Sequence, residues 1–308
     1  MTRVGAIDLG TNATRLLVAD VEDGRVDEVV RRTRITRLGE GVDKRRRLLP
    51  VPVARVRNVL SDYRRELEQL GAERTLAVAT SAARDAENGE AFLGEIEWSY
   101  GFTTRLLSGD DEALMTLRGV APPPGTLVLD IGGGSTELVV EEFHTSLALG
   151  SVRYTERFLH SDPPTPQELD ACAHSARELL AGIRDVAAEQ AIGVAGTITT
   201  LAALDLALGT YDRSVVHGHR LSRAGAREQL DRLAALTVAE RREVPALDPE
   251  RAPVIVAGAV ILAETLDRFD LDWIEVSEHD ILDGAAFAAA ELPAPAEGNA
   301  PPGAHTCC

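Results

Sequence analysis

The chain has 308 residues, a formal net charge of −17 and 44% hydrophobic residues. This length suits two domains of ordinary size, each with its own core. No apolar run approaches the roughly 18 residues of a membrane-spanning helix. Asp8 lies where the apolar part of a signal peptide would continue. The acidic balance disfavours nucleic-acid binding over the whole surface. We therefore expect a cytoplasmic protein with neither a membrane nor a nucleic-acid partner.

One segment departs from this acidic background. Residues 31–65 contain twelve Lys and Arg side chains against three carboxylates. Concentrated positive charge can steer a polyanion toward a site. A solvated charged surface without such a role gives the same composition, so both interpretations stay open.

The first half of the chain alternates apolar runs with turn signals. Asp23–Gly24 predicts a tight hairpin turn, and Gly71 follows an amphipathic pattern as a helix stop. The predicted strands are 4–8, 15–19, 26–30, 75–79 and 103–107, and the predicted helices are about 53–70, a helix after 80, and about 108–120.

The motif Pro122–Gly125 interrupts this pattern and predicts a domain boundary. Asp248 and Pro249 resemble an N-cap and first residue of a helix that reaches about Phe269. We expect domains at 1–122 and 123–292, a last helix at 280–291 that can pack on the first domain, and a disordered tail at 293–308. The other predicted elements are strands at 126–130, 137–141, 145–149, 192–195 and 273–276, and helices at about 166–189, after 200, and 280–290.

An eleven-residue pattern occurs twice, as D-L-G-T-N-A-T-R-L-L-V at 8–18 and D-I-G-G-G-S-T-E-L-V-V at 130–140. Each copy places a carboxylate at the end of an apolar run and follows it with a turn rich in glycine and hydroxyl groups. Such a turn can point backbone N–H groups at an anion, although an ordinary β-hairpin gives a similar pattern. Two copies in register predict one phosphate chain held from both sides beside a metal ion.

The two halves each predict a β-meander followed by alternating helices and strands. This organisation predicts a duplicated α/β protein with an active-site cleft between two domains. In this respect the chain resembles the actin, hexokinase and heat-shock ATPase superfamily, and the resemblance implies the duplicated ribonuclease H-like (actin-like ATPase) fold.

Carboxylate oxygens suit Mg²⁺, with Mn²⁺ as an alternative, so Asp130, Glu137 and Asp8 are the predicted metal ligands. Glu137 also fits an ordinary strand residue. A third turn opens a helix, and the helix N-terminus either binds phosphate or is a structural cap. The predicted phosphate ligands in the three turns are Thr11, Asn12, Gly132, Gly133, Gly134, Ser135, Thr136, Gly196 and Thr197.

Glu112 is the candidate for hydrolysis because it begins the helix that precedes the predicted boundary. A carboxylate facing the cleft could take a proton from an attacking water. By position alone, an exposed acid at a helix start is the simpler interpretation, and we apply it to Asp110 and Asp111.

Several motifs occur in order and resemble the exopolyphosphatase/guanosine pentaphosphatase (Ppx/GppA) family. Besides the repeated pattern they include A-T-S-A-A-R-D-A-E-N, S-G-D-D-E-A, A-G-T-I-T-T-L-A-A-L, V-H-G and V-S-E-H-D-I-L-D-G. The resemblance covers about residues 3–291 and is to the short, two-domain form of the family.

The resemblance implies that Glu112 is the catalytic base and that Arg15 and Arg84 reach phosphate. It implies release of terminal orthophosphate from inorganic polyphosphate, or hydrolysis of guanosine pentaphosphate on the same site. Two further functions fit the same motifs, namely an ATPase or kinase of the superfamily and a weakly catalytic polyphosphate or alarmone binder. A homodimer stays open. Leu114 departs from the family, since many members carry Arg there, and Arg118 is one turn further along.

Overall fold

The computed structural model describes residues 1–293 except 187 and 189. These residues form two compact units. Unit 1 comprises Met1–Val120 and the chain from Ile281, and unit 2 comprises Ala121–Asp280. The predicted tail falls outside the described residues from 294 onward. Within the described part, no helix is both long and apolar enough to span a membrane.

The elements are numbered in chain order. The strands are β1 (Thr2–Leu9), β2 (Ala13–Glu22), β3 (Arg25–Ile35), β4 (Arg74–Ala79), β5 (Thr103–Leu106), β6 (Thr126–Ile131), β7 (Thr136–Val140), β8 (Phe143–Leu147), β9 (Gln190–Val194), β10 (Arg220–Ser222) and β11 (Trp273–Val276). The helices are α1 (Val42–Arg45), α2 (Pro50–Leu70), α3 (Ser81–Arg84), α4 (Gly89–Tyr100), α5 (Gly109–Val120), α6 (Ser151–Phe158), α7 (Pro166–Ala181), α8 (Ala195–Asp205), α9 (Arg213–Val216), α10 (Arg223–Ala234), α11 (Val238–Arg242), α12 (Ile255–Arg268) and α13 (Ile281–Ala290).

The two units contain sheets of the same design. In unit 1 the order is β3-β2-β1-β4-β5, with an antiparallel meander β1–β3 and with β4 and β5 parallel to β1. In unit 2 the order is β8-β7-β6-β9-β11-β10, with an antiparallel meander β6–β8 and with β9 and β11 parallel to β6. This repeated order is that of the ribonuclease H-like fold. The predicted duplicated, actin-like ATPase fold is therefore confirmed.

Strand β1 is buried on both faces of the sheet, and Asp8 lies near its C-terminal end. Packing on both faces therefore holds the backbone of Asp8 in place. Successive strand residues point to opposite faces of a sheet. Ile7 and Leu9 accordingly pack with the apolar face of α2, whereas Val4 and Ala6 pack with α13. Helix α13 thus belongs to the core of unit 1, although it follows unit 2 in the sequence.

Most predicted elements have different bounds in the structure at one or both ends. Helix α7 ends at Ala181, eight residues early, and β8 lies two residues before its predicted range. The predicted helix that reaches about Phe269 is present as α12, but its predicted start at Pro249 was wrong, because α12 begins only at Ile255. Pro253 explains this difference, since proline lacks an N–H donor and disfavours a helical conformation at the residue before it.

Gly284 allows α13 to approach α5 closely. A Cβ atom at Gly284 would lie 2.0 Å from the carbonyl oxygen of Met115. We predict that Gly284→Ala lowers the free energy of unfolding by about 1–3 kcal/mol in denaturant titrations, because the two helices must separate. Gly94 in α4 is the matched control, with no atom within 4 Å of its Cβ position. Gly94→Ala should stabilise by about 0.5–1 kcal/mol. Equal effects of the two substitutions would contradict the packing argument.

Candidate active site

The two copies of the repeated pattern form the same hairpin. In the first turn the Gly10 N–H donates to the carbonyl of Ala13 at 3.0 Å, and in the second the Gly132 N–H donates to Ser135 at 3.0 Å. Both turns therefore hold their flanking strands in the same register. As a result, the residue before each turn pairs across the hairpin with the equivalent residue after it.

The cross-strand pairs differ in charge. Asp8 lies opposite Arg15, and the Arg15 Nε and Nη2 atoms are each 2.8 Å from Asp8 Oδ2. Asp130 lies opposite Glu137 at the equivalent position of unit 2. The first pair is neutral, whereas the second brings two buried carboxylates onto one face of the sheet. The second pair therefore offers carboxylate oxygens of the kind that ligate a cation.

The donor set of unit 2 fits Mg²⁺ in its chemistry. No group of three or more His, Cys, Asp or Glu side chains suited to a metal is found in the described residues. Mg²⁺ commonly uses only one or two carboxylates and completes its shell with water and phosphate oxygens. Asp130 and Glu137 meet that requirement, and Ser146 Oγ donates to Glu137 Oε1 at 2.7 Å and so orients this carboxylate.

The first turn is fixed by the segment that follows β3. The carbonyl of Thr11 accepts from Gly39 N–H at 2.8 Å, and the carbonyl of Asn12 accepts from Thr36 and Arg37 at 3.0 and 2.9 Å. The Asn12 Oδ1 atom is buried and has no hydrogen-bond partner among the described residues. Since buried polar groups are normally satisfied, this side-chain amide is available to a ligand.

The second turn is fixed by the start of α6. The carbonyls of Gly132 and Gly133 accept from Ser151 and Val152 at 3.0 and 2.8 Å. Arg153 Nε donates to the carbonyl of Gly134 at 2.7 Å. With their carbonyl groups engaged, these glycines hold a turn of the kind whose N–H groups bind anions.

The hydroxyl of Thr136 is used in a hydrogen bond within the protein. Its side chain is fully buried, and its hydroxyl donates to the carbonyl of Leu149. The equivalent Thr14 of unit 1 is also fully buried and is hydrogen-bonded to Thr36 Oγ1 at 2.9 Å. A hydroxyl has one proton to donate, so we do not include the Thr136 hydroxyl among the proposed phosphate donors.

Glu112 lies in the first turn of α5 and is only 7% exposed. Ser108 and Asp111 hold the helix start, because Ser108 Oγ accepts from Asp111 N–H at 3.1 Å and Asp111 Oδ2 accepts from Ser108 N–H at 3.3 Å. This reciprocal arrangement is a capping box. Asp110 and Asp111 are both exposed, whereas Glu112 points into the protein.

Burial raises the pKa of Glu112 to about 7, although Arg84 partly opposes this effect. Arg84 Nη1 donates to Glu112 Oε2 at 2.8 Å. Asp8 raises the pKa of Glu112 further and Arg15 lowers it. The structure therefore brings these four predicted site residues into one electrostatic cluster in unit 1, with two carboxylates and two guanidinium groups.

Arg84 retains donors for a ligand. A single nitrogen, Nη1, donates to both Glu112 and the carbonyl of Leu107, the latter at 3.0 Å. The Nε and Nη2 atoms form no hydrogen bond with any other described residue. A guanidinium presents its donors as a planar fork that matches phosphate oxygens, so Arg84 can hold the carboxylate and contact an anion together.

The third turn lies at the start of α8 and has a companion that the sequence motifs did not reveal. Ala195 adopts a left-handed conformation with φ 65°, and Gly196 and Thr197 follow it. A Cβ atom at Gly196 would lie 1.5 Å from Arg251 Nη1, so the Arg251 guanidinium occupies the space that a side chain would fill. Arg251 belongs to no recognised motif, and only the tertiary structure places it beside the third turn.

Leu114 and Arg118 lie on a different face of α5 from Glu112. Leu114 is 46% exposed. Arg118 pairs with Glu291 at 2.6 Å and stacks on the ring of Phe287. The Arg118 charge is therefore already opposed by a carboxylate.

The buried charge of Glu112 predicts a pH-dependent stability difference. The pKa is raised from 4.5 to about 7 in the folded protein, so the ionised carboxylate destabilises the fold above pH 7 and has no such effect below about pH 4.5. We expect Glu112→Gln to increase the free energy of unfolding by about 1–3 kcal/mol at pH 8. At pH 4.5 the gain should disappear. A constant difference at both pH values, measured by thermal and denaturant unfolding, would contradict the assigned pKa shift.

Comparison with known proteins gives a consistent result. Residues 17–290 match the Ppx/GppA phosphatase family. The chain is 41% identical to "Exopolyphosphatase 2" of Mycobacterium tuberculosis over 94% of this chain and 99% of that protein. It is 30% identical to "Guanosine-5'-triphosphate,3'-diphosphate pyrophosphatase" of Vibrio vulnificus over 92% of this chain but only 58% of that protein. The crystal structure of an exopolyphosphatase-like protein superposes with a TM-score of 0.87 at 36% identity, covering 93% of this chain and 98% of that one. The chain therefore belongs to the Ppx/GppA phosphatase family.

Proposed function

We propose that the chain is an exopolyphosphatase, a phosphoanhydride hydrolase that releases terminal orthophosphate from inorganic polyphosphate. The observation that carries this proposal is the buried Glu112, whose pKa is raised to about 7 while Arg84 holds its carboxylate in place. A general base works best when its pKa lies near the working pH. The near-complete match in length to the mycobacterial exopolyphosphatase supports the same choice of substrate.

In the proposed reaction, Glu112 takes a proton from a water molecule as the water oxygen attacks the terminal phosphorus. The bond between that phosphorus and the bridging oxygen breaks, and the bridging oxygen remains on the shortened chain. The products are orthophosphate and a polyphosphate with one phosphate fewer. Positioning and electrostatic stabilisation supply most of the rate enhancement in phosphoryl transfer.

The other proposed roles follow from charge and position. Arg84 and Arg15 oppose the negative charge of the phosphate oxygens, and Asp8 fixes Arg15. The Gly132 N–H already closes the second turn, so it is not included. The proposed phosphate contacts from the turns are Thr11, Asn12, the amides of Gly133 and Gly134, Ser135, Gly196 and Thr197. Asp130 and Glu137 would hold Mg²⁺, with Mn²⁺ as an alternative. When bound, the ion would offset phosphate charge.

Hydrolysis of guanosine pentaphosphate is the second candidate, since it needs the same chemistry at a terminal phosphoryl group. The similarity to the Vibrio vulnificus protein favours it, but this chain spans only 58% of that relative. The cytoplasmic location and the lack of nucleic-acid and membrane partners are proposals that rest on composition.

The direct test is phosphate release from tripolyphosphate, long-chain polyphosphate and guanosine pentaphosphate in parallel, with Mg²⁺ and with a chelator. We expect the highest kcat/KM on polyphosphate and loss of activity in the chelator. Glu112→Gln should lower kcat by about 10²–10⁴-fold with the fold retained, as expected for removal of a general base. In the parent, kcat/KM should fall tenfold per pH unit below about pH 7, because protonated Glu112 cannot accept a proton.

Near-normal turnover in Glu112→Gln would remove Glu112 from the reaction. Preference for guanosine pentaphosphate over both polyphosphates would select the second candidate. ATP-dependent phosphorylation of a sugar would reassign the chain to another activity of the superfamily.

We propose that Arg251, whose guanidinium lies beside the third turn, also contacts phosphate. We expect Arg251→Ala to raise KM for polyphosphate about tenfold, the effect of losing about 1.4 kcal/mol from one charged hydrogen bond. Gly196→Ala should act similarly, because the new Cβ displaces the guanidinium. If both changes act through Arg251, their effects in the double variant should be far from additive. Additive effects, or an unchanged KM in Arg251→Ala, would remove Arg251 from the phosphate site.

A further inference from the structure

The basic segment 31–65 is not uniformly available to a polyanion. Six of its arginines form ion pairs with carboxylates of unit 1. These ion pairs largely neutralise the six positive charges at the surface of unit 1. The six arginines are Arg31, Arg32, Arg55, Arg57, Arg64 and Arg65.

Four consecutive cations differ from these arginines. Lys44, Arg45, Arg46 and Arg47 are all exposed. Within the described part of the chain, their side chains form no hydrogen bond or ion pair. We call these four residues the basic tetrad. Their charges remain uncompensated in a protein with a net charge of −17.

The backbone that carries the basic tetrad is well held. Arg46 adopts a left-handed conformation with φ 52°, and its N–H donates to the carbonyl of Val42 at 2.8 Å. Val42 and Leu48, on either side of the tetrad, are each 3% exposed and belong to the core of unit 1. The four charges are thus presented from a fixed turn, which lowers the entropy cost of binding.

The residues just before the basic tetrad are hydrogen-bonded to the first glycine turn. Gly39 donates to the carbonyl of Thr11, and Val42 N–H donates in turn to the carbonyl of Gly39 at 3.1 Å. A Cβ atom at Gly39 would lie 2.2 Å from Thr11 Cγ2, so the two segments are in close contact.

The end of the basic tetrad and the residue after it are hydrogen-bonded to the segment that follows Arg84. The Glu87 N–H donates to the carbonyl of Arg46 at 2.8 Å, and the Asn88 side chain exchanges hydrogen bonds with both backbone groups of Leu48 at 2.8 and 3.2 Å. Glu87 is three residues after Arg84, a span of at most about 11 Å between α-carbons. The basic tetrad is therefore close to the arginine that holds Glu112.

From these contacts we propose that the basic tetrad is a secondary binding site for the distal part of a long polyanionic substrate. This inference rests on the proposed exopolyphosphatase function and adds a determinant of chain-length preference. A long polyphosphate that places its terminal group at Glu112 extends over the tetrad, whereas tripolyphosphate is too short to use both places fully. The tetrad then lowers KM for long chains without taking part in the chemical step.

The test is replacement of all four residues by glutamine. At low ionic strength, we expect KM for long-chain polyphosphate to rise about tenfold or more, since four charges act together on a polyanion. The kcat on tripolyphosphate should change less than about twofold, because the tetrad does not contact the reacting group. The dependence of KM on salt should also become shallower for the long substrate, because fewer counterions are exchanged.

The matched control removes four other exposed arginines of unit 1, Arg25, Arg32, Arg57 and Arg65, by substitution with glutamine. It changes the net charge equally, so steering by overall charge would affect both quadruple variants alike. An equal rise in KM for long-chain polyphosphate in both quadruple variants would overturn the proposal. So would an equal change in KM for long-chain polyphosphate and tripolyphosphate in the tetrad variant. Thermal unfolding of both variants checks that the fold is retained.

Binding separates this inference from the proposed function. The Glu112→Gln protein with and without the tetrad substitutions is titrated with labelled long-chain polyphosphate in an anisotropy assay. Weaker binding on loss of the tetrad supports the site even if the parent releases no phosphate. Unchanged binding overturns it, whether or not the parent is an exopolyphosphatase.

Discussion

The hydrogen bond from Arg84 to Glu112 is the interaction around which the candidate site residues of unit 1 are grouped. A carboxylate removed from water strongly favours its protonated form unless a partner compensates. Arg84 supplies only part of that compensation, and the pKa of Glu112 therefore settles at about 7. The same burial that costs stability prepares the group to accept a proton near neutral pH, a compromise common at catalytic sites.

The duplicated fold shows how one architecture can hold two kinds of chemistry. The two hairpins share their closing hydrogen bond and their register. A single difference after the turn, Arg15 in one copy and Glu137 in the other, replaces a salt bridge with two facing carboxyl groups. In the proposed function the first hairpin contacts phosphate and the second holds a cation, although their backbones are equivalent.

Much of the site was predictable because it lies in short, ordered motifs. The glycine turns and Glu112 were identified from local pattern and family resemblance, and the structure brings Asp8, Arg15, Arg84 and Glu112 together. Burial was not predictable, since a first-turn carboxylate usually faces solvent. Arg251 was not predictable either, because the loop before Pro253 carries no signal that relates it to Gly196.

The sequence by itself determined the two β-meanders, the duplication, the glycine turns and the family. These features depend on residues close together in the chain, where hydrophobic period, turn residues and motif spacing act locally. Only the tertiary structure decided which charges remain available. It pairs six arginines with carboxylates, leaves the basic tetrad exposed and directs Glu112 toward Arg84. Such outcomes depend on contacts between distant segments, and composition and spacing do not specify them.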